Sequence, residues 1–473
     1  MDLKAYLEEA VDRIHAWEAT WGPYDSHPSL AADDSAVQAS FAAYAERLKG
    51  NYPFFHPRYA GQMLKPPHPV AVLGYVAAML INPNNHALDG GPPTAAMEVE
   101  AVRALADMFH LPSQALGHLT SSGTIANLEA LWIARELHPD KAVAVSREAH
   151  YTHGRMGQVL GLPMVPLPVD EYGRLCLDAL ERELRTGAIG TVVLTAGTTG
   201  LGAVDPIEAA LALCRAYGCR IHVDAAYGGF FAIEAWSDAP SCVLSPAVAA
   251  DYRAIAACDS VVVDPHKHGL QPYGCGCVLF RDASVGRFYK HDSPYTYFTS
   301  DALHLGEITL ECSRAGAAAG ALWLTLQVLP LRANSGYGPI LRACLRAARA
   351  WHSGLEASET LLPYLEPELD IVIYYPSTEM QRASTIDAAS ERLYQRAFND
   401  PDYPVFLSKL RIDQAQLARR HPALVMDQKE VRILRSVLMR PEAESAGADL
   451  LQRLETWARE GLDSSTNGQT ITY

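Results

Sequence analysis

A short apolar run that ends on Asp-Pro and then a lysine constrains this chain more than any other stretch. Val261-Val-Val-Asp-Pro-His-Lys-His268 opens with three β-branched residues, which suit a strand buried on both faces of a sheet. Pro265 has no N–H to give to a sheet ladder, so the strand must stop there and deliver His266 and Lys267 at its carboxyl edge. In open α/β sheets that edge is where ligands bind. A lysine standing alone there is more often a solvated surface residue, but a second strand of the same kind lies upstream. Arg220-Ile-His-Val-Asp-Ala-Ala-Tyr-Gly-Gly229 ends on Asp224 and runs into small residues. The helical pattern between the two stretches lets Asp224 and Lys267 share one edge of one sheet.

A strand-end acid near a lysine, with Ala225, Ala226, Gly228 and Gly229 leaving room for a flat ring, suits pyridoxal 5'-phosphate (PLP). That cofactor needs a lysine amine to form a Schiff base and an acid beside its pyridine nitrogen, whose proton lets the ring accept electrons. Asp-Pro-His-Lys and His-Val-Asp-Ala-Ala-Tyr resemble the two signatures of the group II pyridoxal-phosphate amino acid decarboxylases, which include aromatic amino acid, tyrosine, glutamate and histidine decarboxylases. The resemblance extends over roughly residues 50 to 441. It implies an α/β, fold type I PLP-dependent transferase-like architecture. The expected parts are an N-terminal helical segment with dimer-packing loops (1–90), a large PLP-binding domain on a mostly parallel seven-stranded sheet (91–350), and a small C-terminal α+β domain (351–473).

Further motifs occur in the family's order. Thr120-Ser-Ser-Gly-Thr-Ile-Ala-Asn127 leads directly into a helical pattern. A small-residue turn at a helix start presents unpaired amides and a positive dipole end to an anion, although a plain Ser/Thr cap has the same look. The resemblance assigns Ser122, Gly123 and Thr124, with His266, to the cofactor phosphate. Ser122 and Ile125 stand where many relatives have glycine and glutamate, which leaves a backbone cradle intact. Strand Ala142–Ser146 ends near Glu148-Ala-His-Tyr-Thr-His153. There His150, not His153, matches the family histidine that stacks on the ring, with Ala226 on the opposite face.

Thr191-Val-Val-Leu-Thr-Ala-Gly-Thr-Thr-Gly200 is a further buried strand ending in hydroxyls. Thr198 and Thr199 are candidates for the ring's phenolic oxygen, and equally for capping the turn into Asp205-Pro206, a good helix start. Arg314, in Glu311-Cys-Ser-Arg, matches the family arginine and suits a phosphate, a substrate carboxylate or a structural ion pair. Tyr289 to Asp301 breaks every periodicity. It stands where the family keeps a lid whose tyrosine returns a proton to the substrate carbon, and Tyr297 and Tyr295 are its candidates. Thr94 reads as the cap of a helix over about 95–109. By resemblance its loop reaches the neighbouring subunit's substrate pocket.

The remaining expectations are broader. Leu3, Leu7, Val11 and Ile14 follow helical spacing and predict an amphipathic helix over 2–18, which in the family packs across a dimer. The formal net charge of −15, with acids and bases interspersed, argues against nucleic acid and anionic membrane as partners. The longest apolar run, Val70 to Ile81, falls short of the roughly 20 residues of a membrane span. An acidic N-terminus and nine scattered cysteines fit a reducing cytoplasm. Cys275-Gly-Cys277 has the wrong spacing for zinc, and Lys267 separates His266 from His268, so no metal is expected. The expected activity is decarboxylation of an L-amino acid to an amine and carbon dioxide, the electrons of the broken bond spreading into the ring. Gln271-Pro-Tyr273 is similar to the tyrosine decarboxylase branch and points to an aromatic substrate. The alternatives are an aldehyde synthase or carbon–carbon lyase on the same scaffold, and a PLP-binding homologue without turnover.

Overall fold

The computed structural model describes residues 1–237, 243–290, 309–380 and 382–466. Its centre is a seven-stranded sheet of β1 (Leu116–Thr120), β2 (Ala142–Ser146), β3 (Met164–Leu167), β4 (Ile189–Thr195), β5 (Arg220–Asp224), β6 (Ser260–Val263) and β7 (Gly276–Phe280), in the spatial order β1-β7-β6-β5-β4-β2-β3. From β3 through β6 every pair is parallel, and β7 runs antiparallel to both of its neighbours. Every residue of β4 and of β6 is buried, which is why these strands read as unbroken apolar runs rather than alternating ones. The mostly parallel α/β sheet expected from the sequence is therefore present. Its carboxyl edge carries the turn after β1, the segment after β2, the loop after β4, Asp224 and the turn after β6.

A second sheet, antiparallel, joins Leu361–Pro363, Ile371–Pro376, Glu430–Val437 and Ser408–Asp413 in that spatial order. Helices Tyr337–Glu356, Ala383–Asn399 and Ala443–Thr466 enclose its core around Trp351, Tyr374, Leu393, Leu434 and Trp457. Two buried groups bind this unit to the active edge. Arg435 donates to the carbonyls of Thr199 at 2.7 Å and Gly200 at 3.0 Å. Asp370 accepts from the Tyr227 hydroxyl at 2.6 Å and lies 3.1 Å from His268 Nε2.

Helix Leu3–Ala19, capped by Asp2, packs against helix Pro69–Ile81, which in turn lies on Gly316–Val328. Helix Asp34–Leu48 has no buried residue. No helix among the described residues is long and apolar enough to cross a membrane.

Three local expectations need correction. The helix expected from 95 begins at Pro92, because Pro92 and Pro93 occupy the first positions, where a missing N–H leaves nothing unpaired. Thr94 is thus inside the first turn, its hydroxyl donating to Asn85 Oδ1 at 2.7 Å and Gly91 O at 3.1 Å. Gly269 to Phe280 reads in the sequence as one returning strand, but the chain becomes a strand only at Gly276, and the intervening turn includes Leu270 at φ +62°. Asp205 does not cap the following helix either. Its buried carboxylate takes the N–H groups of Leu175 and Thr195, both at 2.7 Å, and so ties two loops together.

Candidate active site

The carboxyl edge of the sheet holds a cleft of about 160 Å³. Lys267 lines it from the turn after β6, Asp224 from the end of β5, and Ser122, Gly123 and Thr124 from the turn after β1. Strands β5 and β6 are paired in register, Asp224 opposite Val262, so both chemical groups emerge at one level of the sheet. His150, Ala226 and His266 line the same cleft.

The anion cradle follows from local backbone. Ser122 is the N-cap of helix Gly123–Leu137, its hydroxyl accepting the Ile125 N–H, and the helix's first amides and positive end face the cleft. A Cβ added to Gly123 would lie 2.6 Å from the Asp264 carboxylate, and one on Gly276 would lie 2.5 Å from the Ser122 backbone. Only bare backbone allows β7 and the cradle to approach this closely. Within the cleft, Thr195 Oγ1 and Asp264 Oδ1 are buried without a hydrogen-bond partner. Buried polar groups left open in this way suit a polar ligand.

The electrostatics separate the titratable groups. Burial raises the Asp224 pKa, but the His153 hydrogen bond, the Lys267 charge and the Ala226 N–H outweigh it and hold the carboxyl well below the usual range. Burial pushes the His150 imidazole down; Lys267 and His153 act in the same sense, against Asp224 and Asp264. His150 Nδ1 lies 2.8 Å from the Thr152 hydroxyl and 3.4 Å from the Thr152 N–H, which together fix the ring's orientation. Burial also lowers His266, whose Nδ1–H donates to Cys275 O at 2.7 Å. Lys267 Nζ lies 3.1 Å from Asp264 Oδ2. The cleft therefore combines an ionised acid, imidazoles held toward neutrality and one primary amine.

Several groups escaped the sequence reading. His153, set aside in favour of His150, is 1% exposed and donates from Nε2 to Asp224 Oδ2 at 2.8 Å. Asp264, read only as the end of a strand, faces the lysine, and its spacing of three residues from Lys267 was the available signal. Asn127 and Thr195 also line the cleft, beside the candidate Thr199. Thr198 does not: it is fully buried and its hydroxyl accepts the Ala203 N–H, so the next threonine is the one that reaches the cleft. Arg314 is absent from the lining too. Its guanidinium pairs with buried Glu98 and donates to Leu119 O at 3.0 Å and Asn85 O at 2.8 Å, which makes it a structural ion pair. Tyr295 and Tyr297 lie outside the described residues.

A lysine and an acid at the carboxyl edge of such a sheet, beside a helix-start cradle, define the class of fold type I PLP enzymes. Residues 53–375 match the family model described as the pyridoxal-dependent decarboxylase conserved domain, and the chain belongs to that family. An L-tyrosine decarboxylase of Enterococcus faecium is 27% identical, covering 83% of this chain and 82% of that one. A probable L-tyrosine/L-aspartate decarboxylase of Methanocella arvoryzae is 30% identical over 70% of this chain and 83% of its own length. Among solved structures, mouse CSAD in apo form superposes with a TM-score of 0.75 at 20% identity, covering 96% of this chain and 98% of that one. Oryza sativa TDC with PLP and tryptamine gives 0.75 at 17%, covering 96% and 98%. The protein is a PLP-dependent amino acid decarboxylase, a carboxy-lyase.

Proposed function

We propose that the substrate is an aromatic L-amino acid, converted to its amine, and that Lys267 and Asp224 are the two groups on which the reaction depends. The observation that carries the assignment of these residues is the placement of both in a single cleft against the cradle of Ser122, Gly123 and Thr124. The cofactor supplies, when bound, the electron sink that accepts the pair left as carbon dioxide departs.

Each chain residue then has a defined task. Lys267 would offer its amine to the cofactor aldehyde, and Asp264 holds that amine in place. Asp224, kept anionic, would retain a proton on the ring nitrogen. His150 and Ala226 would flank the ring, while the helix start and His266 would bind the phosphate. Thr199, in place of Thr198, would serve the phenolic oxygen. Tyr297 or Tyr295 returns the proton to the substrate carbon.

An aromatic substrate is supported by the relatives named as L-tyrosine decarboxylases and by the cleft's makeup. Its basic lining groups are Lys267 and two imidazoles, with no arginine among the described residues. Two other relatives are named "Probable L-aspartate decarboxylase", so an acidic substrate is the second reading. Carbon dioxide release from a panel of proteinogenic amino acids, with Lys267→Ala as the blank, tests both. Turnover of tyrosine, tryptophan or phenylalanine supports the proposal, and turnover of aspartate or glutamate alone overturns it.

A homodimer completes the reading. Trp17, Phe41 and Tyr44 on the first two helices and Trp21 just after the first are exposed, more apolar surface than an isolated subunit leaves in water without reason. A cavity of about 780 Å³ lined by Ile14, Trp17, Ile81 and Trp323 also carries Thr94, and a second subunit covering it would bring Thr94 toward a shared site. The eight cysteines of the described residues are free, in keeping with a cytoplasmic setting.

A further inference from the structure

Asp224 is held by donors of unequal strength. Oδ1 accepts the Ala226 N–H at 3.1 Å, two residues along the same chain. Oδ2 accepts from His153 Nε2 at 2.8 Å and, more weakly, from Asn127 Nδ2 at 3.3 Å. His153 belongs to helix Thr152–Leu160, seventy-one residues away in sequence. It is 1% exposed, and its Nδ1 is buried with no hydrogen-bond partner. Asp224 is therefore its one polar anchor among the described residues.

The weaker donor is fixed by a directional relay. Burial pushes the His222 pKa down to about 3, so this imidazole is neutral and carries a single N–H. His222 Nε2 lies 2.8 Å from Asn127 Oδ1, which only accepts, and His222 Nδ1 lies 2.9 Å from Ser260 Oγ. The proton must then sit on Nε2, with Nδ1 accepting from the serine hydroxyl. Ser260 donates to His222, His222 to Asn127, and Asn127 to Asp224. Every dipole in the row points its positive end toward the same carboxylate, an arrangement in which hydrogen bonds reinforce one another.

We propose that His153 is a positioning residue that fixes Asp224 against the cofactor's ring nitrogen, with the Ser260–His222–Asn127 relay as the lesser support. The inference rests on the reading that Asp224 faces that nitrogen. Without the His153 N–H, a buried carboxylate keeps two weaker donors. It then favours its protonated form and grips the ring nitrogen's proton less firmly.

The test compares His153→Phe, which keeps the ring and loses the donor, with His153→Gln, which restores an N–H. PLP is titrated into each apoenzyme, and the dissociation constant and absorption spectrum of the bound form are recorded. The Phe variant is expected to bind PLP about tenfold to a hundredfold more weakly, the worth of a hydrogen bond to a charged group. Its bound-form absorption bands shift in ratio, and the Gln variant regains most of both. Should the Phe variant not fold, His153→Leu, which also lacks a donor, takes its place with the same expected loss, while Ser260→Ala cuts the relay at its source and is expected to weaken PLP severalfold with the same direction of spectral change. Wild-type affinity and spectrum in the Phe variant, or in His153→Leu if that alone can be measured, overturn the positioning role while leaving the enzyme class intact. A wild-type protein that forms no coloured complex with PLP would overturn the underlying reading instead.

Discussion

Replacing Arg314 by methionine separates a structural role for this arginine from a ligand-binding one. The Arg314 and Glu98 side chains are 7% and 1% exposed, and breaking a buried pair by removing one partner costs about 3–5 kcal/mol. Glu98 keeps two donors, Asn85 Nδ2 at 2.7 Å and Leu119 N at 3.0 Å, which places the expected loss near the lower end, about 3 kcal/mol. The carbonyls of Asn85 and Leu119 lose their guanidinium donors at the same time. Adding Glu98→Gln to Arg314→Met removes the stranded charge and should recover about 1–2 kcal/mol. The assay is the urea midpoint and slope of the wild type, both single variants and the double variant at one protein concentration, beside a PLP titration of each. A destabilised Arg314→Met protein with near-normal cofactor affinity is the expected result. A protein as stable as the wild type that binds PLP tenfold or more weakly would refute the structural role and return Arg314 to the cofactor phosphate.

Three other outcomes follow from the same geometry. Gly123→Ala puts a methyl group 2.6 Å from the Asp264 carboxylate; PLP affinity should fall at least tenfold in a cofactor titration, whereas an unchanged value would mean the cradle lies elsewhere. Asp370→Ala removes the buried acceptor shared by Tyr227 and His268; thermal unfolding should show a loss of about 3 kcal/mol, and a change within about 0.5 kcal/mol, the usual spread for surface sites, would refute the role of this contact between the sheets. Burial raises the Glu368 pKa to about 7, above its unfolded value of about 4.3, so the native state binds this proton more tightly. Its stabilising contribution is complete below the unfolded pKa and fades as pH climbs toward about 7. Glu368→Gln should therefore flatten the decline in urea midpoint between about pH 4.5 and 7, and an unaltered slope would contradict the shift.

The sheet was legible because its strands announce themselves locally. Val261-Val-Val before Asp-Pro, and Ile221-His-Val before Asp-Ala-Ala, carry their own stop signals, and the observed strands end within a residue of them. The same signals put Asp224 and Lys267 at strand ends, and the structure brings both to one cleft. What stayed hidden depends on partners distant in the chain. His150 and His153 sit three residues apart in one polar stretch, and only the packing of that segment against β5 decides which of them meets Asp224. The partner of Arg314 is 216 residues away, beyond any local pattern, so the sequence left phosphate, substrate carboxylate and ion pair all open. Thr94 was displaced by the prolines before it, whose preference for the first helical positions outweighed the cap propensity of threonine. Asp205 resembled a cap because its role, joining two loops through backbone N–H groups, leaves no trace in periodicity.

The most direct measurement is borohydride reduction of the PLP-loaded protein, followed by peptide mapping by mass spectrometry. A single stable pyridoxyl-phosphate adduct on the peptide containing Lys267, absent from Lys267→Ala, is the result expected of an amine poised at this sheet edge. An adduct on another lysine, or an equal yield from the Lys267→Ala protein, would contradict it.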